Sequence, residues 1–95
     1  MAVARVVSFE GVSKERMDEM KREVAEGTGA PEDLPAGELI VLHEPDSEKS
    51  LVIFIFDSDE DYQRAHEILD AMPAEDTPGR RTSVTKYEVA QRMTP

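Results

Sequence analysis

The chain has 95 residues and no cysteine, which points to one domain with a modest core, no disulfide and no thiol chemistry. Its 21 acidic and 11 basic residues leave a formal charge of −10; this speaks against nucleic acid and anionic membranes as partners, because both are bound by neutralising phosphate with Lys and Arg. The longest apolar run, residues 51–56, is far shorter than the ~20 residues of a membrane span, and the first residues lack the basic-then-apolar order of a signal peptide, so the reading is a cytoplasmic protein.

Residues 3–9 are rich in β-branched side chains and form the first predicted strand, broken by Gly11. Ser13 caps a helix, its hydroxyl accepting from an amide of the first turn. Val12 and Met17 flank that cap as a hydrophobic staple. Met17, Met20 and Val24 make one narrow apolar stripe, and Asp18 and Arg22 sit acid-first at i, i+4 on the wet side. Gly27 and Gly29 end the helix. Residues 27–37 hold two prolines and three glycines and read as a loop, long enough to suggest function or motion.

Residues 38–43 and 50–56 form a hairpin across the turn chemistry of Pro45, Asp46 and Ser47. Ser58 or Asp57 caps the second helix, and Asp59, Glu60 and Asp61 suit the positive end of its dipole. Tyr62, Ala65, Leu69 and Met72 mark its buried face, with Ile68 beside them, and Pro73 stops it. A turn at Pro78 and Gly79 leads to the last strand, residues 82–89. The order is β-α-β-β-α-β, one α+β domain over residues 1–95.

Two helices cover one face of a four-stranded sheet, so the other face should alternate apolar and polar. The third strand does not alternate: Leu51, Ile53 and Ile55 point one way, and Val52, Phe54 and Phe56 the other. The second strand also has apolar residues on both faces, Leu39 and Val41 against Ile40 and Leu42. A second copy packed sheet on sheet would cover the exposed side. Charge is uneven as well. Residues 38–78 hold 12 acids and 2 bases, whereas residues 79–95 hold 4 bases and 1 acid, so the last strand is expected to pair with acidic neighbours inside the fold or across a dimer.

The element order, the two-faced third strand followed by FDSDEDYQRAHEIL, and the ending GRRTSVTKYEVA resemble the dimeric α+β barrel superfamily, which includes the antibiotic-biosynthesis monooxygenase-like proteins. The resemblance covers nearly the whole chain and rests on pattern. It implies a ferredoxin-like βαββαβ fold, a four-stranded antiparallel sheet with two helices on one face, a homodimer, and a pocket in each subunit between sheet and helices. It implies no single activity, because that fold hosts monooxygenases, haem degraders, isomerases and ligand-binding proteins. Some haem-degrading relatives place a ligating His on the second helix together with an Asn and a Trp elsewhere; this chain has neither Asn nor Trp, so no haem is expected.

The candidate ligand-binding residues are Tyr62, His66, Arg5 and His43. Tyr62, His66 and Asp70 fall at i, i+4 and i+8 along one helix edge, where an imidazole and a carboxylate could serve in proton transfer; the alternative is a stripe that merely packs at the edge of the core. Arg5 lies in a strand expected to be central, where a charge needs a partner; Glu88 is one possibility and an anionic ligand another. His43 ends the second strand beside Glu44 and reads more readily as structural. Tyr62 and Tyr87 can each hydrogen-bond at a pocket rim or sit as core residues with a wet tip. Asp57, Asp59 and Asp61 imitate a calcium loop, but Tyr62 and Ile68 stand where that loop needs Gly and Glu. Two histidines and no cysteine make zinc improbable, and no dinucleotide, phosphate-loop or nucleophile-elbow motif is present.

No catalytic residue can be named and no cofactor is expected. The leading expectation is a homodimer that binds a small apolar or aromatic molecule. The alternatives are a cofactor-independent monooxygenase or isomerase acting on an aromatic or polyketide-like substrate, and a protein-interaction module that docks a different protein on the apolar sheet face.

Overall fold

The computed structural model describes residues 2–27, 33–72 and 77–93. Its elements run β1 (Val3–Glu10), α1 (Lys14–Ala25), β2 (Glu38–Glu44), β3 (Lys49–Phe56), α2 (Asp59–Asp70) and β4 (Arg80–Glu88). The strands form one antiparallel sheet in the order β2-β3-β1-β4, so the first and third strands are central. This is the ferredoxin-like arrangement that the sequence pattern leads one to expect. Gly29 and Pro73, read as breakers, lie outside the described residues.

The helix starts follow from side-chain capping. Ser13 accepts from the Arg16 amide at 3.1 Å and Ser58 from the Asp61 amide at 3.2 Å, so Ser58 and not Asp57 is the second cap. Past the end of α1, Gly27 takes a φ of 75°, the left-handed position that glycine occupies without Cβ strain. Val12 and Met17 both lie buried in one cluster with Val7 and Phe9, as a staple requires.

Register decides what each face carries. On the helix side, Val3, Arg5 and Val7 of β1 stand opposite Phe56, Phe54 and Val52 of β3. Val3 and Phe56 form a second core cluster with Tyr62 and Ala65 of α2, and Leu34 packs against it from the loop before β2. Here α2 lies against β1 and β3. The outer side carries Ala4 and Val6 of β1, Ile53 and Ile55 of β3, and Ile40 and Leu42 of β2. Ile40 and Leu42 remain 37% and 48% exposed, and no helix or strand among the described residues covers them.

The last strand starts at Arg80, two residues before the expected boundary. A bulge between Ser8 and Phe9 shifts the β1–β4 register, so that Phe9 meets Arg81 and Glu10 meets Arg80. The four bases of the last segment all meet acids elsewhere in the chain. Arg80 reaches Glu10 at 2.5 Å, Arg81 reaches Asp70 at 2.7 Å, Lys86 reaches Asp59 at 2.8 Å, and Arg92 pairs with Glu38. These bases thus find acidic partners within the chain itself.

Phe56 is closed off almost completely between β1 and α2. Phe56→Ala should cost about 3–5 kcal/mol of folding stability, read as a shift in the urea unfolding midpoint with an unchanged slope.

Candidate functional site

A charged side chain occupies the middle of the helix-facing side of the sheet. Arg5 is only 4% exposed, and its cross-strand neighbours are Phe54 and Lys86. Glu88, the partner weighed from sequence, stands opposite Val3 instead and does not meet it. Arg5 turns to α2: its Nε donates to His66 Nδ1 at 3.2 Å, and its Nη2 lies 3.8 Å from Asp70 Oδ1. At that range Nη2 has no hydrogen-bond acceptor, although it has lost its contact with solvent. Burial pulls the Arg5 pKa below its ordinary value, but a guanidinium starts so high that it stays charged.

His66 is held by that contact. Because Nδ1 accepts from Arg5, the neutral ring carries its proton on Nε2, which faces Asp70 Oδ2 at 4.0 Å. Tyr62 stacks on the imidazole at 5.9 Å between centroids. The Lys86 ammonium sits 5.0 Å from the Tyr62 ring centre and bonds Asp59. That bond holds the Asp59 carboxyl below, and the Lys86 amine above, their ordinary values. Tyr62, His66 and Asp70 do line one helix edge, where His66 and Asp70 meet Arg5 and Tyr62 stacks on His66.

Asp70 also accepts from Arg81 at 2.7 Å, and this hydrogen bond is the first cause of a carboxyl pKa below the usual aspartate range. Sequence reasoning missed Arg81. Counting alternately from Val84, which faces the helices opposite Val7, sends Arg81 to the outer side. The bulge at Ser8 and Phe9 returns it to the helix side, and nothing in the sequence signals a bulge there.

Beside this cluster lies a cavity of about 150 Å³ between α1 and the sheet. Val7, Val41, Val52 and Phe54 form its floor, Met20 and Val24 of α1 one wall, and Leu69 and Met72 another. The stripe on α1 is therefore oriented as its spacing predicts, but Val24 faces open space and stays 60% exposed. Arg5 and Arg81 line one part of the cavity; Arg16 and Glu23 line another and lie 3.9 Å apart. Tyr62, His66 and His43 do not line it. His43 bonds the Val12 carbonyl through Nε2 at 2.9 Å and borders a separate, open depression with Ser50 and Thr82. Among the described residues no three His, Asp or Glu side chains converge as metal ligands do, and no helix is long and apolar enough to cross a membrane.

No family model matches the chain, and no curated protein matches its sequence. Among solved structures, the chain is similar to a protein of Chloroflexus aurantiacus J-10-fl described as a candidate antibiotic biosynthesis monooxygenase. The identity is 13%, the match covers 99% of this chain and 98% of that one, and the TM-score is 0.58. At that identity the likeness is one of fold: this chain shares with that protein a four-stranded antiparallel sheet and two helices in the order βαββαβ.

The depressed Asp70 pKa has a defined sign. Its stabilising contribution is complete above the ordinary carboxyl value of ~3.9 and is lost as pH falls through the lower folded value. Asp70→Asn should therefore unfold more easily than the parent near neutral pH, and the difference should close below about pH 4, measured by urea titration at a series of pH values.

Proposed function

We propose that the chain is a small-molecule-binding protein that works as a homodimeric α+β barrel, with the cavity of each subunit as the binding site. The observation that carries this reading is the cavity itself, a space of about 150 Å³ with a mainly apolar lining and two guanidinium groups at one part of it. Apolar cavities of roughly that size hold a benzene-sized body, so the ligand is single-ringed or short-chained. Arg5 supplies the polar contact, with His66 and Tyr62 fixing its position. His43 meets a ligand only if one extends to the open depression beyond it.

The homodimer is supported by the outer sheet face. Ile40, Leu42, Ile53 and Ile55 make a contiguous apolar surface where a monomer needs a polar one. Burying ~500 Å² of such surface contributes on the order of 12 kcal/mol before association costs.

A cofactor-independent monooxygenase or isomerase is the second reading, favoured by the description of the structural neighbour and by Arg5, since a fixed cation stabilises a developing enolate oxygen. His66 is a poor base as held, because one ring nitrogen accepts from Arg5 and the other carries the proton. Catalysis through His66 requires the ring to leave Arg5.

Native mass spectrometry should give twice the chain mass, and Ile53→Lys should give the single mass with the fold intact by circular dichroism. A monomeric parent would instead favour a different protein as the partner of this face. Methyl-resolved NMR with 2-phenylethanol should shift Val7, Val41, Val52 and Leu69, and Val52→Phe should abolish those shifts; shifts confined to other residues would place the binding elsewhere.

A further inference from the structure

The charges around the cavity run against those of the whole chain. The protein carries a formal −10, yet the cavity is lined by three arginines and one glutamate. Arg16 and Glu23 lie 3.9 Å apart and offset one another. At the other part, Arg5 and Arg81 share, among the described residues, a single carboxylate, Asp70. Arg81 holds the short contact, at 2.7 Å, and Arg5 the long one, at 3.8 Å. Lys86, the cross-strand neighbour of Arg5, is already met by Asp59 at 2.8 Å, and the ring of His66 spends its acceptor on Arg5 Nε. Among the described residues the group therefore keeps one formal positive charge beside an apolar space, and the buried Nη2 of Arg5 lacks an acceptor. A buried charge without a hydrogen-bonded counterion is costly, and a carboxylate brought by a ligand would satisfy both the charge and the donor.

We infer that the cavity takes a small apolar carboxylate, an aryl- or alkyl-substituted acid whose anionic head sits at Arg5 and Arg81 and whose body fills the space over Val7, Val52 and Phe54. This rests on the cavity being a binding site and adds the charge of what it binds. The repulsion of the acidic surface does not prevent entry, because at 0.15 M salt exposed charges are screened beyond ~8 Å.

Phenylacetate and 2-phenylethanol have the same ring and chain length and differ in charge, so they separate the two ideas. By titration calorimetry at neutral pH and 0.15 M salt, phenylacetate should bind about ten- to a hundredfold more tightly than the alcohol. Two substitutions at the partly exposed end of the cluster should move that preference in opposite directions. Asp70→Asn leaves two uncompensated guanidinium groups and should tighten phenylacetate binding. Arg81→Gln frees Asp70 to neutralise Arg5 and should weaken it. A purely structural role does not predict opposite directions, since damage to the fold would weaken binding of acid and alcohol alike. Arg5→Met should abolish the preference, and if that variant does not fold, the opposed pair decides alone. Equal binding of acid and alcohol would overturn the inference and leave the cavity as a site for neutral molecules. A preference for the acid that ignores both substitutions would place the anion elsewhere and overturn it too. Binding of neither would overturn this inference and the binding function with it.

Discussion

A guanidinium is buried at the centre of the sheet, and the arrangement of the helix-facing side depends on keeping it there. The strand position of Arg5 leaves it no exit to water, since β3 and β4 flank it and α2 lies above. Burying an ion costs several kcal/mol unless the surroundings replace its lost hydration. The replacement is incomplete here: an imidazole nitrogen takes Nε, and a carboxylate shared with a second arginine stands just beyond bonding distance of Nη2. The stacking of Tyr62 on His66 and the ion pair of Lys86 with Asp59 are arranged around that point. Apolar packing of similar volume would hold a core as well or better, so the fold by itself does not call for an arginine in this position.

The cavity originates in how the two helices seat on the sheet. α2 carries Tyr62 and Ala65 straight onto β1 and β3, whereas α1 meets the sheet chiefly through Met17 near its start. Beyond Met17 the apolar side chains of α1, Met20 and Val24, face a gap and not a partner. The same sheet face thus closes at one end into a core of Phe56, Val3 and Tyr62 and opens at the other into a lined space. Arg5 stands between the two, which is why it serves the one as a buried residue and the other as a wall.

The outer sheet face poses a separate constraint. Its apolar residues come from the central strands β1 and β3 and the edge strand β2, while β4 contributes Ser83, Thr85 and Tyr87. The apolar surface is therefore displaced toward the β2 edge of the sheet. A second subunit packed there would leave β4 at the rim, where its charges are already satisfied by Glu10, Asp70 and Asp59 of the same chain.

Much of the fold was legible in the sequence because it rests on local chemistry. The element order came from β-branched runs and capping serines, the staple of Val12 on Met17 from spacing alone, and the two faces of β3 from the fixed alternation of a strand. Arg5 was recognisable as a charge in a central strand, and the His66–Asp70 spacing as one turn of helix. The partners of Arg5 were not, because Glu88 on the neighbouring strand fits the same pattern, and only strand register sets it opposite Val3 while the seating of α2 brings His66 and Asp70 to the guanidinium. Arg81 was out of reach for a stronger reason. Its side of the sheet is set by a bulge opposite Ser8 and Phe9, a property of two strands more than 70 residues apart in sequence that neither strand encodes by itself. The cavity, too, exists only as the distance at which α1 comes to rest over the sheet. The sequence determined which side chains are apolar, which are charged and which element each belongs to; the tertiary structure alone decided which charges share a counterion and where packing stops short, because both depend on long-range register and not on spacing along the chain.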